Sequence, residues 1–156
     1  MLYFDYASNM DEGELKGFVS DQGGDPHGIS NPRYGLLRDW RLVFNFLSPR
    51  RKAGTGNIEP AIGEQVEGVV WDVTDNLIQH TDQKEGHPRQ YHRIWIAVEV
   101  QDSTLQNLLT YEVVPKQRRE LFSLYRAYLQ LMIDAAQRFG FSKDYIAKLE
   151  NIQTLN

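Results

Sequence analysis

The sequence contains no cysteine, which excludes disulfide bonds and thiolate metal sites and favours a cytoplasmic location. It also lacks any run of about eighteen or more apolar residues, so no segment is predicted to span a membrane. An excess of basic residues is missing as well. The net charge of −4 does not suit a protein whose main task is to neutralise nucleic-acid phosphates.

The residues that are present have the composition of a folded domain. Of the 156 residues, 41% are hydrophobic and 12% are aromatic, and a chain of this length buries about 68–70% of its unfolded surface. No repeat, low-complexity tract or linker divides the chain, so residues 1–156 are predicted to form a single domain. The segment from Met1 to Asp5 lacks the basic start and long apolar stretch of a signal peptide, and we interpret it as a strand.

Strand signals dominate the first two-thirds of the chain. They occur at residues 2–6, 40–47, 56–62, 66–73, 91–100 and 105–114. The polar segment 11–35 is predicted to be a short helix followed by an irregular loop. Thr74 is predicted to cap a second short helix that continues to Gln83.

The C-terminal part of the chain has the period of a helix. Apolar residues recur at helical spacing from Leu121 to Phe139, between Pro115 and Gly140, which are typical start and stop signals. Ser142 is predicted to cap a further helix. Strands first and helices later indicate an α+β fold, with helices packed against a curved or closed antiparallel sheet.

Two polar features could carry chemistry. The turn Tyr6-Ala7-Ser8-Asn9 follows the first strand directly, and converging backbone N–H groups there could bind a carboxylate or an oxyanion; a plain Asx or Ser turn explains the pattern equally well. Glu85 lies in Asp82-Gln83-Lys84-Glu85-Gly86. It could be partly buried in a cleft, where desolvation would raise its pKa, or it could be an exposed loop acid.

Other candidate features are weaker. Tyr91 and Tyr111 stand at strand ends, where they either line a cleft or serve the core. The Gly-rich segment 54–60 either wraps a substrate or turns the chain. The basic clusters 50–52 and 116–119 are interpreted as solvated charges, with a small anionic ligand as the alternative.

The three histidines around Glu85 do not have the spacing of a metal site. His80, His87 and His92 flank the glutamate, but no H-E-x-x-H pattern is present. Ser8 lacks the G-x-S-x-G context of a nucleophile. We therefore predict no metal and no serine nucleophile.

The ordered set of these motifs resembles a known family. The matching segments are Tyr3 to Met10, Arg41 to Asn45, Val66 to Trp71, Asp82 to Gly86, and Tyr91. In this order they are similar to the γ-glutamylcyclotransferase-like, or AIG2-like, family. The resemblance implies a small antiparallel β-barrel flanked by helices, with a cleft where the Tyr6–Asn9 turn faces Glu85.

The resemblance also implies an activity. Family members act on a γ-glutamyl amide or γ-glutamylamine and release 5-oxoproline with a free amine or amino acid, without a metal or organic cofactor. Glu85 would be the catalytic acid/base. The substrate-binding residues would be Tyr6, Ala7, Ser8, Asn9, Tyr91 and Tyr111. The implied partner is a small γ-glutamyl molecule, with no nucleic acid or membrane, and the protein would be a monomer or homodimer.

Two positions depart from the family pattern. Ala7 replaces the usual glycine, which reaches φ > 0 and allows close approach. Asp5 replaces a small residue and, by strand alternation, shares a face with Tyr3 and Ala7. There it would repel a carboxylate and raise the pKa of Glu85, or recruit a cationic group.

Two alternatives to a cyclotransferase remain. One is a non-catalytic binding or interaction domain on the same fold, and the other is an amide hydrolase or acyltransferase that uses Glu85.

Overall fold

Five strands close into a barrel in the spatial order β1-β3-β2-β4-β5. The computed structural model describes all 156 residues. The strands are β1 (Leu2–Asp5), β2 (Ile29–Ser48), β3 (Ala53–Val73), β4 (Tyr91–Val100) and β5 (Ser103–Val113). Neighbouring strands pair antiparallel, except that β1 runs parallel to β5 and closes the barrel at Tyr3 and Leu109. The predicted α+β class and β-barrel are confirmed.

Four α-helices and two short 3-10 turns complete the chain. The helices are α1 (Glu12–Asp21), α2 (Asp75–Glu85), α3 (Arg126–Arg138) and α4 (Lys143–Glu150), and the 3-10 turns are Ser8–Met10 and Pro115–Gln117. None of the helices is long and apolar enough to cross a bilayer. The barrel interior and the inner faces of the helices share one hydrophobic cluster of buried residues.

The second and third strands are longer than the sequence predicts. Residues 29–35 belong to β2 and not to an irregular loop, and the predicted strands 56–62 and 66–73 are one continuous strand, β3. β2 stays paired with β3 along this stretch because β-bulges near Asn31 and Asp39 shift the register without ending the strand. Both residues have positive φ, which asparagine and aspartate tolerate better than most residues.

The predicted helix that begins after Pro115 is wrong over its first part. α3 begins at Arg126, and Leu121 is 76% exposed. The segment before α3 is extended because its backbone pairs with the β2–β3 hairpin. The Phe122 N–H donates to the Phe44 carbonyl at 2.9 Å, and the Gly54 N–H donates to the Ser123 carbonyl at 3.0 Å.

The rest of the C-terminal prediction is confirmed. Gly140 follows α3 with φ +70°, and Ser142 caps α4 by accepting from the Tyr145 N–H at 3.2 Å. Glu67 on β3, which is 1% exposed, accepts from the Ser142 N–H at 2.8 Å. This buried carboxylate fastens the start of α4 to the barrel.

Candidate active site

A small cavity of about 70 Å³ opens where the turn after β1 meets the end of α2. The structure brings all the site residues of the sequence analysis to its wall: Tyr6, Ala7, Ser8, Asn9, Glu85, Tyr91 and Tyr111. The wall also contains Asp5, as its position on the strand predicts, together with Tyr128 and three basic residues that were not predicted to lie there.

Glu85 is the last residue of α2 and not part of a loop after the helix. Thr74 caps the start of this helix as predicted, because its side chain accepts from the Leu77 N–H at 3.3 Å. Gly86 ends it in the left-handed region with φ 66°. A helix that starts and ends at fixed residues gives Glu85 a defined direction into the cavity.

The Glu85 carboxyl is held by the turn after β1. Asn9 Nδ2 donates to Glu85 Oε1 at 2.9 Å and lies 3.1 Å from the Tyr3 hydroxyl. Burial raises the pKa of Glu85, while Lys84 and the Asn9 hydrogen bond oppose that rise. A partly desolvated carboxylate of this kind is suited to accept a proton.

The Asp5 carboxyl accepts hydrogen bonds from the turn that was predicted to bind a ligand. Its Oδ1 accepts from the Tyr6 N–H at 2.8 Å and from the Ala7 N–H at 3.1 Å. The N–H groups of Tyr6 and Ala7 are therefore satisfied within the chain and are not free to bind a substrate. Burial raises the pKa of Asp5 to about 7.

Ala7 does not adopt the positive φ that a glycine would allow. Its φ is −134°, a value open to any L-residue. The nearby Gly56 provides the space that the alanine methyl needs, since a Cβ on Gly56 would lie 3.1 Å from Ala7 Cβ and 3.3 Å from the Tyr128 hydroxyl. Ala7 therefore fits beside Gly56 with a negative φ.

The tyrosines of the cavity wall are bonded to the protein itself. The Tyr6 hydroxyl donates to the Tyr111 carbonyl at 2.7 Å, and the Tyr91 hydroxyl donates to the Gly56 carbonyl at 2.7 Å. The Tyr111 hydroxyl donates to Asp82 Oδ1 at 2.8 Å. Burial raises the pKa of Tyr6, Tyr91 and Tyr111, so these hydroxyls stay protonated and shape the cavity.

Sequence reasoning missed the basic side of the cavity, which we call the basic rim: Arg50, Arg51 and Lys84. Lys84 is only 2% exposed in its side chain, donates to Asn9 Oδ1 and lies 3.4 Å from Glu14 Oε1. Burial lowers the pKa of Lys84, and the neighbouring Glu85 and Glu14 oppose that change. Arg50 is 51% exposed and is solvated as predicted, whereas Arg51 is 22% exposed and pairs with Glu14. Both arginines line the cavity, as the alternative of a small anionic ligand requires.

The three histidines around Glu85 do not converge. His80 Nδ1 lies 2.8 Å from the Asn76 carbonyl, and His92 Nε2 lies 2.9 Å from Glu112 Oε1. No group of three or more His, Cys, Asp or Glu side chains is arranged to hold a metal ion.

The cavity combines the desolvated carboxylate of Glu85 with the cationic side chains of the basic rim, which can hold an anion.

Comparison with solved structures identifies the fold. A γ-glutamyl cyclotransferase shares 21% identity and a TM-score of 0.86, over 100% of this chain and 89% of the other. An uncharacterized protein from Homo sapiens shares 22% identity and a TM-score of 0.84, over 99% and 89%. A γ-glutamyl cyclotransferase specific to glutathione from yeast shares 12% identity and a TM-score of 0.59, over 96% and 93%. At these identities, the matches show a common fold.

The sequence itself supplies the family. No curated protein sequence matches this chain. Residues 65–149, which are more than half of the chain, match the AIG2-like family. This range includes the end of β3, the whole of α2 with Glu85, and both strands that follow. The chain belongs to the AIG2-like family.

Proposed function

We propose that the protein is a cyclotransferase that acts on a γ-glutamyl amide or γ-glutamylamine and releases 5-oxoproline with a free amine or amino acid. The observation that carries this proposal is the carboxyl of Glu85, which burial makes more basic and which Asn9 holds at 2.9 Å inside the cavity. The fold shared with a γ-glutamyl cyclotransferase supports the same reaction class.

In the proposed reaction, Glu85 moves one proton. It removes a proton from the substrate's α-ammonium group, and the resulting amine attacks the γ-carbonyl carbon of the same molecule. The new C–N bond closes a five-membered lactam, and the old C–N bond breaks as Glu85 gives its proton to the departing nitrogen. The second proton that the ring nitrogen loses passes to the released amine, which leaves as an ammonium ion. General acid/base catalysis of this kind contributes about 10²–10⁴-fold. Because both reacting groups belong to one molecule, the cavity mainly has to fold the substrate.

The basic rim supplies the binding energy for the glutamyl head group. Arg50 and Lys84 line the same cavity as Glu85 and offer cationic donors for the substrate's α-carboxylate. The cavity is small, so it suits the glutamyl head group, with the leaving amine directed towards the opening. This scheme requires no metal or organic cofactor.

The test is product identity. The protein is incubated with a panel of γ-glutamyl amides and γ-glutamylamines, and 5-oxoproline is measured by mass spectrometry. We expect turnover for at least one member and a loss of about 10²–10⁴-fold in the Glu85→Gln variant. Free glutamate as the product would point to an amide hydrolase, and undiminished turnover in the variant would remove Glu85 from its role.

A second candidate function is a non-catalytic amino-acid-derivative binding domain. It is favoured by Asp5, whose Oδ1 already accepts from the N–H groups of Tyr6 and Ala7. A panel without turnover, together with thermal stabilisation by a γ-glutamyl compound, would support it. Activity gained in the double variant Asp5→Ala, Ala7→Gly would identify a decayed site, whereas wild-type turnover would eliminate this candidate.

A further inference from the structure

Lys84 is a buried lysine that directly precedes the proposed acid/base residue. Only 2% of its side chain is exposed, although it lies in the last turn of α2, one residue before Glu85. Its Nζ donates to Asn9 Oδ1, in the turn after β1, and lies 3.4 Å from Glu14 Oε1 on α1. An ammonium group has three donors, so these contacts leave one for a substrate carboxylate. The ammonium group of Lys84 therefore joins α1 and α2 to the turn that holds Glu85.

Glu14 favours the charged form of this buried ammonium group. Burial lowers the pKa of Lys84, whereas the neighbouring carboxylates of Glu85 and Glu14 raise it. Glu14 is fixed at the start of α1, because its backbone N–H donates to the capping side chain of Asp11 at 2.9 Å. Its carboxylate also pairs with Arg51. Glu14 thus places a negative charge beside Lys84 from an element other than α2.

The contact with Lys84 determines which end of the Asn9 amide faces Glu85. Lysine can only donate hydrogen bonds, so it contacts the amide oxygen, and the NH₂ group is then directed to Glu85 Oε1 at 2.9 Å. The Tyr3 hydroxyl, 3.1 Å from the same nitrogen, can donate or accept and accommodates either end of the amide. Among these neighbours, Lys84 is the group that selects the observed orientation whether or not Glu85 carries a proton.

The orientation of the amide matters because its two ends favour opposite protonation states of Glu85. An NH₂ group donates to an ionised carboxylate, whereas an amide oxygen accepts from a protonated carboxyl group. A reversed Asn9 amide would therefore add to the rise in the pKa of Glu85 that burial causes. Glu85 has to be ionised before it can remove a proton from a substrate. An amide with its nitrogen towards Glu85 supports that state.

We propose that Lys84 is a positioning residue, which holds the Asn9 amide in the orientation that favours the ionised form of Glu85, and that Glu14 holds Lys84 in place. Lys84 thus acts through Asn9 as well as through its own charge. This inference rests on the proposed function only in treating Glu85 as the acid/base group, because the orientation of the amide is a property of the free protein.

The other groups around Glu85 do not orient the amide in this way. Of the three cations that line the cavity, Arg50, Arg51 and Lys84, only Lys84 donates to Asn9. Asp5 on β1 is the other carboxyl group of the wall, and it bonds the backbone of the turn. The tyrosines of the wall stay neutral because burial raises their pKa values: Tyr3, Tyr6, Tyr91, Tyr111 and Tyr128.

The experiment measures the pKa of Glu85 in the free protein, where turnover plays no part. Carbon-13 NMR follows the side-chain carboxyl groups of labelled glutamate during a pH titration, and the Glu85→Gln variant identifies the Glu85 signal. Lys84→Met introduces an uncharged side chain of similar length that cannot donate to Asn9. We expect it to raise the pKa of Glu85 by at least about 1. An unchanged pKa would overturn the proposal.

A double-variant cycle separates the orientation of the amide from the charge of Lys84. In the Asn9→Ala background no amide is left to reverse, so Lys84→Met removes only the charge. We expect the rise in the pKa of Glu85 to be smaller in this background than in the wild type, by at least about 0.5. An equal or larger rise would mean that Lys84 acts by charge alone and does not act through Asn9.

Lys16→Met is the matched control for the loss of a lysine. Lys16 pairs with Glu12 on α1 at 2.5 Å and does not line the cavity, so the pKa of Glu85 should stay unchanged. A rise equal to that in Lys84→Met would mean that any lost positive charge has this effect. If Lys84→Met does not fold, Lys84→Gln replaces it with the same expectation, because a glutamine amide is uncharged and can donate or accept.

These outcomes are separate from the test of the proposed function. If the wild-type protein forms no 5-oxoproline but the pKa of Glu85 depends on Lys84 through Asn9, the positioning role stands and the reaction is wrong. If 5-oxoproline forms and the pKa of Glu85 does not depend on Lys84, the reaction stands and the positioning role is wrong.

Discussion

Asn9 Nδ2 donates a hydrogen bond to Glu85 Oε1 over 2.9 Å and so joins the turn after β1 to the last residue of α2. Both ends of the Asn9 amide are in use, because its Oδ1 accepts from Lys84 Nζ. The residue is 3% exposed, and its hydrogen bond opposes the burial-driven rise in the pKa of Glu85. Asn9 therefore both positions the proposed acid/base group and stabilises its ionised form.

The first prediction concerns the Asn9→Ala variant. A hydrogen bond to the ionised carboxylate lowers its pKa, so removing Asn9 raises the pKa of Glu85 further. A base must be ionised to accept a proton, and kcat/KM therefore falls as the pH drops below its pKa. We expect the acidic limb of the pH profile of kcat/KM to move to higher pH.

Two controls assign this shift to Glu85. Asn76→Ala removes an exposed amide from α2, the helix that ends at Glu85, and should leave the pH profile of kcat/KM unchanged. Asp5 also titrates, with a pKa of about 7, so the comparison is repeated in the Asp5→Asn background. If the acidic limb of the kcat/KM profile moves only when Asp5 is present, the limb reports the titration of Asp5, and its assignment to Glu85 is contradicted.

Much of the fold follows from local sequence patterns. Thr74 and Ser142 cap α2 and α4 as predicted because a short polar side chain before a helix accepts the first free N–H groups. The alternation in residues 91–100 identifies β4 because one face of that strand is buried. These signals depend only on neighbouring residues, so the sequence shows them directly.

The errors have a different physical origin. Leu121 and the residues after it have helical spacing, yet their backbone groups bond to the β2–β3 hairpin. In the sequence, Arg50 and Arg51 look like ordinary solvated loop charges. In the folded barrel they line the same cavity as Glu85. In both cases the deciding partner is distant in sequence, and no local pattern contains it.

The second prediction concerns the pH dependence of stability. Asp5 has a folded-state pKa of about 7 against an ordinary value of 3.8, so between these pH values the folded state binds more protons than the unfolded state. Stability is therefore lost as the pH rises from about 4 to about 7, by an amount on the order of 4 kcal/mol at about 1.4 kcal/mol per pKa unit. Glu85, whose pKa is also raised, contributes in the same direction.

Urea unfolding of the wild type and of Asp5→Asn at pH 5 and pH 8 measures this contribution. We expect the variant to lose less free energy of unfolding over this interval, since only Glu85 remains of the two raised carboxyl groups. Carboxylates with lowered pKa values, such as Glu14, act below this interval. Equal slopes for the two proteins would show that Asp5 is ionised in the same way in the folded and unfolded states.

The third prediction concerns Asp82, one turn before Glu85 on α2. Asp82 accepts two hydrogen bonds from Arg93 on β4, at 2.9 and 2.6 Å, and one from the Tyr111 hydroxyl on β5 at 2.8 Å. We expect Asp82→Asn to lower the free energy of unfolding by about 1–2 kcal/mol, because the pair is charged but partly exposed. Urea denaturation measures the change.

A matched variant compares the Asp82 hydrogen bonds, which join α2 to β4 and β5, with an exposed ion pair on the surface of the barrel. Glu99→Gln removes a carboxylate that bonds Arg38 at 2.8 Å, where the two side chains are 37% and 59% exposed. We expect little change in its urea midpoint, because solvent screens such pairs. A loss in Glu99→Gln equal to that in Asp82→Asn would mean that the Asp82 cluster does not specially fasten α2 to the barrel.

The fourth prediction concerns Arg50 on the basic rim. Its side chain lines the cavity and forms no hydrogen bond within the chain, its nearest carboxylate oxygen being Glu14 Oε1 at 3.9 Å. The guanidinium lies 5.6 Å from the centre of the Phe18 ring, and its N–H groups can bind the substrate's α-carboxylate, which is present in the ground state and in the transition state alike. We therefore expect Arg50→Gln to raise KM about tenfold and leave kcat nearly unchanged.

Lys52 provides the matched control for this prediction. It carries the same charge two residues further along, but it is exposed and does not line the cavity. Lys52→Gln should leave KM unchanged at physiological salt, because an exposed charge outside the cavity acts on the substrate only through a screened field. Equal increases of KM in the two variants would mean that the positive charge attracts the substrate from a distance. A fall of kcat in Arg50→Gln without a change of KM would instead mean that Arg50 acts on the reacting atoms.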